Sequence, residues 1–415
     1  MSVIEDLRTV GQRMVKEQSS LKDLLAKERV MNVTDDTVNG VDRLIYNHCL
    51  NKTDLAASIG IARNTLVKYL SELEENNEIA EPIQQGKNHL YSRHAIQEIM
   101  EKMGTPKYSD YHNPVVMCIE NQKGGTGKSS TATTLAVATA LDLSLNARVC
   151  LVDLDPQGTL ASNLIQNADC ENSLTLTAID IVLGEQEAEG EFSYYRQSGH
   201  SEEEIVLAAP FSTHLPNLDI IASHPNDERF NDEIAKASDE KGKHLYERFR
   251  DVLISNLKKE YDIIIVDSAP HDAPIVWAIN ECADGILIPV MPNEFDFSST
   301  SNFIASLPER LVDLPSRGEN LKWFRVLPVN YNAKSISQRK TLDKLTRTVQ
   351  DKMLSTQINR SELFPAAASA GRTVLDVMKS EKMVSPKQFD LAISSVESVY
   401  RQIKSEIIAL AAKEV

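Results

Sequence analysis

The sequence predicts an α/β protein with a doubly wound, mostly parallel sheet, preceded by a smaller α-helical domain and an N-terminal helix. Short apolar runs alternate with helical stretches over most of the chain, which is the order of strands and crossover helices in a parallel sheet. Both faces of each strand are expected to be covered, and the runs lie at residues 115–120, 148–153, 262–267, 285–290 and 323–329. A glycine-rich segment follows the first run, whereas residues 41–100 show a different, mainly helical pattern.

The length and composition are those of a globular protein with two or three domains. The chain has 415 residues, of which 42% are hydrophobic and 25% are charged. Its formal net charge of −16 excludes a uniformly basic nucleic-acid binder, but residues 325–360 carry +6 and residues 180–240 carry −12. The five scattered cysteines include no CxxC pair, which argues against a disulfide framework and fits a reducing cytoplasm. Because no apolar run suits a signal peptide or a membrane span, we expect a cytoplasmic protein.

The N-terminal segment, residues 1–35, has the apolar spacing of a helix that pairs with a copy of itself. Its apolar positions recur about every 3.5 residues over roughly three heptads, at Val3, Leu7, Val10, Met14, Leu21 and Leu24. We predict a dimerisation helix, and the alternative is an amphipathic helix that packs on its own domain.

Residues 36–105 have the pattern of a winged helix-turn-helix domain. Two predicted helices, 53–59 and 63–73, flank a turn at Gly60, and a short hairpin pattern with a glycine near its tip follows. The second helix would present four polar side chains to the major groove, and the hairpin would be a wing; the residues are Arg63, Asn64, Thr65 and Lys68, with Lys87 on the wing near phosphate. The alternative is a helical hairpin used only for protein contacts. Residues 106–114 are predicted to be a linker to a domain that spans 115–415, because two prolines and a glycine occur around them without periodicity.

Residues 121–130 are predicted to bind phosphate. This glycine-rich segment lies between a predicted strand and the helix 131–141, so that backbone N–H groups and the helix N-terminus would face one anion. Lys128 could reach the β- and γ-phosphates, and the Ser129 hydroxyl could bind Mg²⁺. The usual GxxxxGK[ST] pattern is not met, because Gln122 stands at its first glycine, and the segment instead has an additional lysine, Lys123. A chance glycine-rich turn is the alternative.

Three carboxylates follow predicted strands and are expected near this loop. Asp153 and Asp155 come after the second strand, and Asp267 ends the strand at 262–267. Since ligands bind beyond the carboxyl ends of parallel strands, all three would lie beside the phosphates. Asp267 suits water-mediated coordination of Mg²⁺. A helix-capping carboxylate is the alternative for any one of them.

The segments KGGTGKSS, LVDLDPQGT and IIIVDSAP resemble the deviant Walker A, Walker A′ and Walker B motifs of the ParA/MinD family of P-loop ATPases. The DPQG form is similar to that of the ParA branch, which partitions plasmids and chromosomes. The resemblance covers roughly residues 114–415, and it implies a P-loop NTPase fold that binds ATP or ADP with Mg²⁺.

The resemblance also implies roles for individual residues. Lys128 and Ser129 would hold phosphate and Mg²⁺, with Asp153 and Asp267 supporting the metal. Lys123 would reach across a homodimer to the phosphates of the other subunit, and Asp155 would position the attacking water. The remaining contacts would be Asn330 to adenine and Gly124, Gly125, Thr126, Gly127 and Ser130 around the phosphates. A lysine delivered in this way couples hydrolysis to assembly, because phosphoryl transfer needs positive charge at the γ-phosphate.

The positive segment near the C-terminus is a candidate for sequence-independent DNA contact. If residues 331–360 are helical, three- and four-residue steps bring several cations to one side, and the alternative is a solvated basic face; the candidates are Arg339, Lys340, Lys344 and Arg347.

The long plasmid-type members of the family, which this chain resembles over nearly its whole length, carry a helix-turn-helix before the ATPase. The resemblance therefore implies a nucleoid-associated partition ATPase that binds chromosomal DNA non-specifically, acts with a ParB-type centromere-binding protein and represses its own operator. The alternatives are a transcriptional regulator switched by nucleotide, and a membrane-associated ATPase similar to MinD. The C-terminal segment SEIIALAAKEV lacks the basic, bulky apolar face of a membrane-binding helix. An electron carrier similar to nitrogenase reductase would need cluster cysteines, and the chain offers no convincing set.

Overall fold

The computed structural model describes residues 3–29, 41–86, 88–158, 164 and 176–413. The chain divides into two compact units, Met1–Gly104 and Thr105–Val415. Residues 106–114 differ from the predicted linker, because they contain a short helix at Tyr108–Tyr111. Tyr108 is only 2% exposed and packs in the core of the second unit. This buried aromatic ring fixes a segment whose sequence shows no periodicity.

The first unit combines helices with a small antiparallel sheet in the order β1-β3-β2. In its described part the helices are α1 (Val3–Arg29), α2 (Arg43–Asn47), α3 (Lys52–Ile59), α4 (Arg63–Glu75) and α5 (Arg93–Lys102). The strands are β1 (Leu50–Asn51), β2 (Ile83–Gln85) and β3 (Asn88–Tyr91).

Local signals set the geometry of α3 and α4. The Asn51 side chain caps α3 by accepting hydrogen bonds from the backbone N–H groups of Thr53 and Asp54, at 2.9 and 3.0 Å. Gly60 ends α3 in the left-handed conformation with φ of +75°, which only glycine adopts without strain. Leu55 and Leu66 are fully buried and hold the two helices at their angle.

The apolar positions of α1 lie on the surface of the first unit. Val3, Leu7 and Met14 are 74%, 68% and 67% exposed. These three described side chains are therefore exposed within the first unit, and self-pairing stays a prediction. The side chain of Leu21 lies outside the described part of the structure.

The second unit contains the predicted doubly wound sheet, with seven strands in the order β10-β9-β4-β8-β5-β7-β6. All neighbours are parallel except β6 and β7. The strands are β4 (Val115–Ile119), β5 (Val149–Asp153), β6 (Phe211–Ser212), β7 (Leu218–Ile221), β8 (Ile263–Asp267), β9 (Gly285–Val290) and β10 (Trp323–Pro328). Strands β4, β5, β8, β9 and β10 confirm the five predicted runs, whereas β7 and the edge strand β6 were not predicted.

Helices cover both faces of this sheet. The described α-helices of the unit are α6 (Tyr108–Tyr111), α7 (Lys128–Leu141), α8 (Ala178–Leu183), α9 (Glu191–Gln197), α10 (Glu202–Ala208), α11 (Arg229–Lys236), α12 (Asp239–Arg248), α13 (Ser255–Leu257), α14 (Pro274–Asn280), α15 (Glu294–Asp313), α16 (Ile336–Val349), α17 (Leu363–Ser369) and α18 (Pro386–Ala411). Alternate residues of β4 pack into two different hydrophobic cores. Val116 and Cys118 lie in one core, and Val115 and Met117 lie in the other. None of the described helices is long and apolar enough to cross a membrane.

The register of three central strands defines one edge of the sheet. Asp267 at the end of β8 pairs in register with Ile119 of β4 and with Asp153 of β5. The carboxyl ends of these strands are therefore level, and the loops that follow them meet at one place.

Candidate functional site

The loop between β4 and α7 has the backbone of an anion-binding turn. Gly125 and Gly127 have φ of +76° and +82°, in the left-handed region that favours glycine. Gly127 is the N-cap of α7, and a Cβ atom there would lie 3.5 Å from Val329. The Thr126 hydroxyl donates to the backbone carbonyl of Lys123 at 3.2 Å, which closes the loop. Backbone N–H groups and the positive end of α7 are thus available to an anion.

A cavity of about 630 Å³ opens over this loop. Its walls include most of the predicted contact residues: Gly124, Gly125, Gly127, Lys128, Ser129, Ser130, Asp155 and Asn330. Thr126, Asp153 and Asp267 are buried behind that surface. The volume suits a small organic ligand.

Lys128 lies at the centre of the site and is only 5% exposed. Its Nζ donates to the backbone carbonyl of Lys123 at 3.3 Å. Burial lowers the pKa of the Lys128 ammonium, and the carboxylates of Asp267, Asp155 and Glu120 oppose that shift. The ammonium therefore stands between a carboxylate cluster and the cavity.

The three predicted carboxylates lie together at this edge. The backbone N–H of Asp155 donates to Asp153 Oδ1 at 3.0 Å, and its carbonyl accepts from the Ser223 hydroxyl at 2.6 Å. Asp267 is fully buried, and in the described part of the chain neither of its carboxylate oxygens has a hydrogen-bond partner. Burial and the neighbouring Asp153 raise the pKa of Asp267 well above its usual value, whereas the Lys128 ammonium acts in the opposite direction.

Lys123 does not line the cavity and instead forms an ion pair within its own subunit. Its Nζ contacts Oδ1 of Asp296, near the start of α15. The side chain of Asp296 is 4% exposed and that of Lys123 is 35% exposed. Sequence analysis assigned Lys123 to the other subunit of a dimer and did not identify Asp296.

Much of the cavity wall outside the loop between β4 and α7 was not predicted from the sequence. Asn330, which was predicted, has φ of +52°, and its Nδ2 lies 3.7 Å from the Met291 sulfur. The remaining wall comes from Thr131, Pro270, Met291, Val329, Ile358, Asn359, Arg360, Ser361, Glu362, Phe364 and Pro365. Arg360 was counted with the basic segment but lies in this wall. No motif marks residues 358–365, because the fold brings a loop near residue 360 to a loop near residue 125.

The predicted base-reading residues of the first unit lie on one exposed surface. Arg63, Asn64, Thr65 and Lys68 are all exposed on the first turns of α4. The Nε of Arg63 donates to the Thr53 hydroxyl at 3.1 Å, which orients the guanidinium. Lys87, predicted on the wing, lies outside the described residues.

The basic segment forms α16, and only part of its predicted cationic face is open. Arg339, Lys340 and Arg347 are exposed. Lys344, which was predicted to share that face, donates to Glu294 at 2.7 Å and lies 3.9 Å from the centre of the Phe297 ring. Its attachment to α15 removes it from the open face.

Comparison with known proteins agrees with this geometry. The model of the AAA domain family, AAA_31, matches residues 115–311. A Sinorhizobium fredii protein provisionally named replication protein A is 24% identical over 85% of this chain and 84% of its own length. The plasmid partition protein A of Escherichia coli is 27% identical over 64% of this chain and 65% of its own length.

The solved structure of a protein named "Partition Protein" has a similar fold over nearly the whole chain. It aligns with a TM-score of 0.65 and 18% identity, covering 98% of this chain and 99% of that one. Residues 115–311 thus match the AAA domain family, and the chain is similar to a plasmid partition protein.

Proposed function

We propose that this chain binds ATP with Mg²⁺, dimerises in that state, binds DNA and hydrolyses ATP during the partition of a plasmid or chromosome. The observation that carries the proposal is the buried Lys128 between a left-handed glycine loop and three strand-end carboxylates. This arrangement supplies cations, backbone N–H groups and metal-binding oxygens at one cavity.

The donor atoms suit Mg²⁺. Asp267 offers two buried carboxylate oxygens with no hydrogen-bond partner in the part of the chain that the structure describes. Asp153 lies beside it, and Ser129 lies on the first turn of α7. Such hard oxygen ligands, together with water and phosphate, are those that Mg²⁺ prefers. When bound, the ion would neutralise charge on the phosphates.

Hydrolysis would depend on Asp155 and on charge at the γ-phosphate. Asp155 lines the cavity and is fixed by hydrogen bonds on both sides of its backbone. In the proposed dimer, Lys123 of the other subunit would add the cation that phosphoryl transfer requires. A ParB-type partner would then stimulate hydrolysis by favouring that assembled site.

Two surfaces are proposed for DNA. The exposed polar residues of α4 would read an operator and repress the protein's own operon, and the open cations of α16 would hold chromosomal DNA without regard to sequence. The exposed stripe of α1 would pair two copies, which matches the two half-sites that helix-turn-helix dimers bind.

The test of the overall proposal is ATP turnover by the purified protein, measured alone, with DNA and with DNA plus the candidate partner. Turnover that rises with DNA and partner is expected. A regulator that uses nucleotide only as a switch is the second candidate, because the first unit by itself presents exposed polar side chains on α4. That candidate predicts ATP binding and operator binding without stimulated turnover.

Arg63→Ala is expected to weaken operator binding by about 5- to 100-fold, because a guanidinium that contacts a base contributes about 1–3 kcal/mol. ATP turnover should not change. Gel-shift titration on the protein's own promoter measures the effect, and Lys102→Ala on α5 is the matched control, since Lys102 pairs with Glu78 at 2.9 Å. An unprotected promoter in footprinting of the parent protein would argue against autorepression.

Removal of the open cations of α16 is expected to flatten the salt dependence of non-specific DNA binding. Each phosphate contact contributes about 0.9 to the slope of log affinity against log salt. Arg339→Ala, Lys340→Ala and Arg347→Ala should each reduce the slope on non-operator DNA in the ATP state. Lys344→Ala is the internal control and should have the smallest effect, because Glu294 already pairs with this lysine. Equal effects of all four changes would contradict the division of this helix into open and paired cations.

A further inference from the structure

We propose that Asp296 is a positioning residue that holds Lys123 in its own subunit and so restrains dimerisation until nucleotide is bound. The inference rests on the proposed function, because it concerns the release of Lys123 toward phosphate. It adds an intramolecular contact that must break before the dimer site can be completed.

Hydrogen bonds to Asn293 hold the carboxylate of Asp296 in place independently of Lys123. The backbone N–H of Asp296 donates to Asn293 Oδ1 at 2.9 Å, and Asn293 Nδ2 donates to Asp296 Oδ2 at 2.5 Å. These bonds form the N-terminal cap of α15 and leave Oδ1 for the Lys123 ammonium. A carboxylate on a capped helix loses little conformational freedom when it pairs.

Helix α15 is also tied to the backbone of the phosphate loop. Asn121, which is fully buried, donates from Nδ2 to the Thr300 hydroxyl and to the Pro289 carbonyl, both at 2.9 Å. Asn121 Oδ1 accepts from the backbone N–H of Lys123 at 3.2 Å. Helix α15 therefore contacts both the start of the loop, through Thr300, and the Lys123 ammonium, through Asp296. These two contacts fix the distance between the start of the loop and the Lys123 ammonium.

The main chain and the side chain of Lys123 point to different places. Its backbone carbonyl accepts from Lys128 Nζ at 3.3 Å, beside the cavity, whereas its own ammonium is held at α15. A buried carboxylate that loses its cation is left with an uncompensated charge. When Lys123 moves to phosphate on a second subunit, Asp296 is left without its cation, and this cost opposes dimerisation.

The restraint is tested with Asp296→Asn, which removes the charge and keeps the shape of the side chain. The matched control is Asp313→Asn, which changes an exposed residue at the other end of the same helix. If Asp296→Asn does not give a parental melting curve, Asp296→Ser is used in its place. Two readouts are needed: acylation of the Lys123 amine in nucleotide-free protein, followed by mass spectrometry, and the dimer dissociation constant from sedimentation with a non-hydrolysable ATP analogue and Mg²⁺.

Asp296→Asn is expected to increase the rate of Lys123 acylation about tenfold and to tighten the dimer by a similar factor. Lys123→Met in the Asp296→Asn background should abolish the gain in dimerisation. Acylation of Lys123 at the parental rate would overturn the inference. Faster acylation without a tighter dimer would show that the ion pair is only a structural contact, and it would overturn the proposal that Asp296 restrains dimerisation. If the parent protein does not dimerise with nucleotide at all, the proposed function fails, while acylation still decides whether Asp296 holds Lys123.

Discussion

Replacement of Lys128 by alanine should weaken ATP binding by about 100- to 1,000-fold, or about 3–4 kcal/mol. Lys128 lines the cavity beside the glycine loop and is largely removed from water, with 5% of the residue exposed. A charge-assisted bond to phosphate is strong in such a place, because water does not screen it. Equilibrium titration with a fluorescent ATP analogue and Mg²⁺ measures the loss.

The same substitution should also affect the protein without nucleotide. Lys128 stands among Asp267, Asp155 and Glu120, whose carboxylates oppose the effect of burial on its pKa. Without it, these acids lose a positive neighbour, and we expect the free energy of unfolding to change by about 1–3 kcal/mol. Lys128→Met separates the two effects, since it removes the charge and keeps most of the apolar stem.

The control for the titration is a lysine at the amino ends of the strands, opposite the glycine loop. Lys322 precedes β10 and lies at the amino ends of the strands, with 62% of its side chain exposed. Lys322→Ala should bind ATP as the parent does. If Lys128→Ala remained folded and bound ATP with parental affinity, the phosphate site would be wrongly assigned.

The central sheet and the phosphate loop were predictable because their signals are local. Strands β4, β5, β8 and β9 are apolar at nearly every position, as both faces are covered. The left-handed turns at Gly125 and Gly127 require the residue type that the sequence shows. In each case a few neighbouring residues determine the conformation.

The strands β6 and β7 gave no such signal. Strand β7 has four residues and an acidic one, Asp219, in its interior. That carboxylate is accommodated by the Tyr261 hydroxyl at 2.8 Å and by Arg148 nearby. The compensation comes from two other parts of the chain, and the short pattern alone resembles a loop.

The ion-pair partners of Lys123 and Lys344 were unpredictable for the same reason. Asp296 meets Lys123, and Glu294 meets Lys344, only because α15 passes both the phosphate loop and α16. Helical spacing correctly placed Arg339, Lys340 and Arg347 on α16. It could not show that Lys344 already forms an ion pair with Glu294 of the neighbouring helix α15. Sequence patterns thus identified chemically competent side chains, and tertiary packing decided which of them are available.

Replacement of Asp155 by alanine should lower the rate of ATP hydrolysis about 100- to 10,000-fold, the usual contribution of a positioned acid–base group. The ATP dissociation constant should change only a few-fold, because Asp155 is not among the cations or N–H groups that hold phosphate. The protein should therefore accumulate in its ATP-bound dimer. Single-turnover hydrolysis and sedimentation with ATP measure these two outcomes.

The position of Asp155 depends on its backbone, and this gives an intermediate variant. The Ser223 hydroxyl donates to the Asp155 carbonyl at 2.6 Å, from the chain that follows β7. Ser223→Ala should lower kcat by about three- to tenfold and leave the KM for ATP unchanged, since it loosens the carboxylate without removing it. Asp239→Ala, on the surface helix α12, is the matched control and should hydrolyse ATP at the parental rate. Parental turnover by Asp155→Ala would show that another group positions the water, and a fall in ATP affinity as large as the fall in kcat would place Asp155 among the binding residues instead.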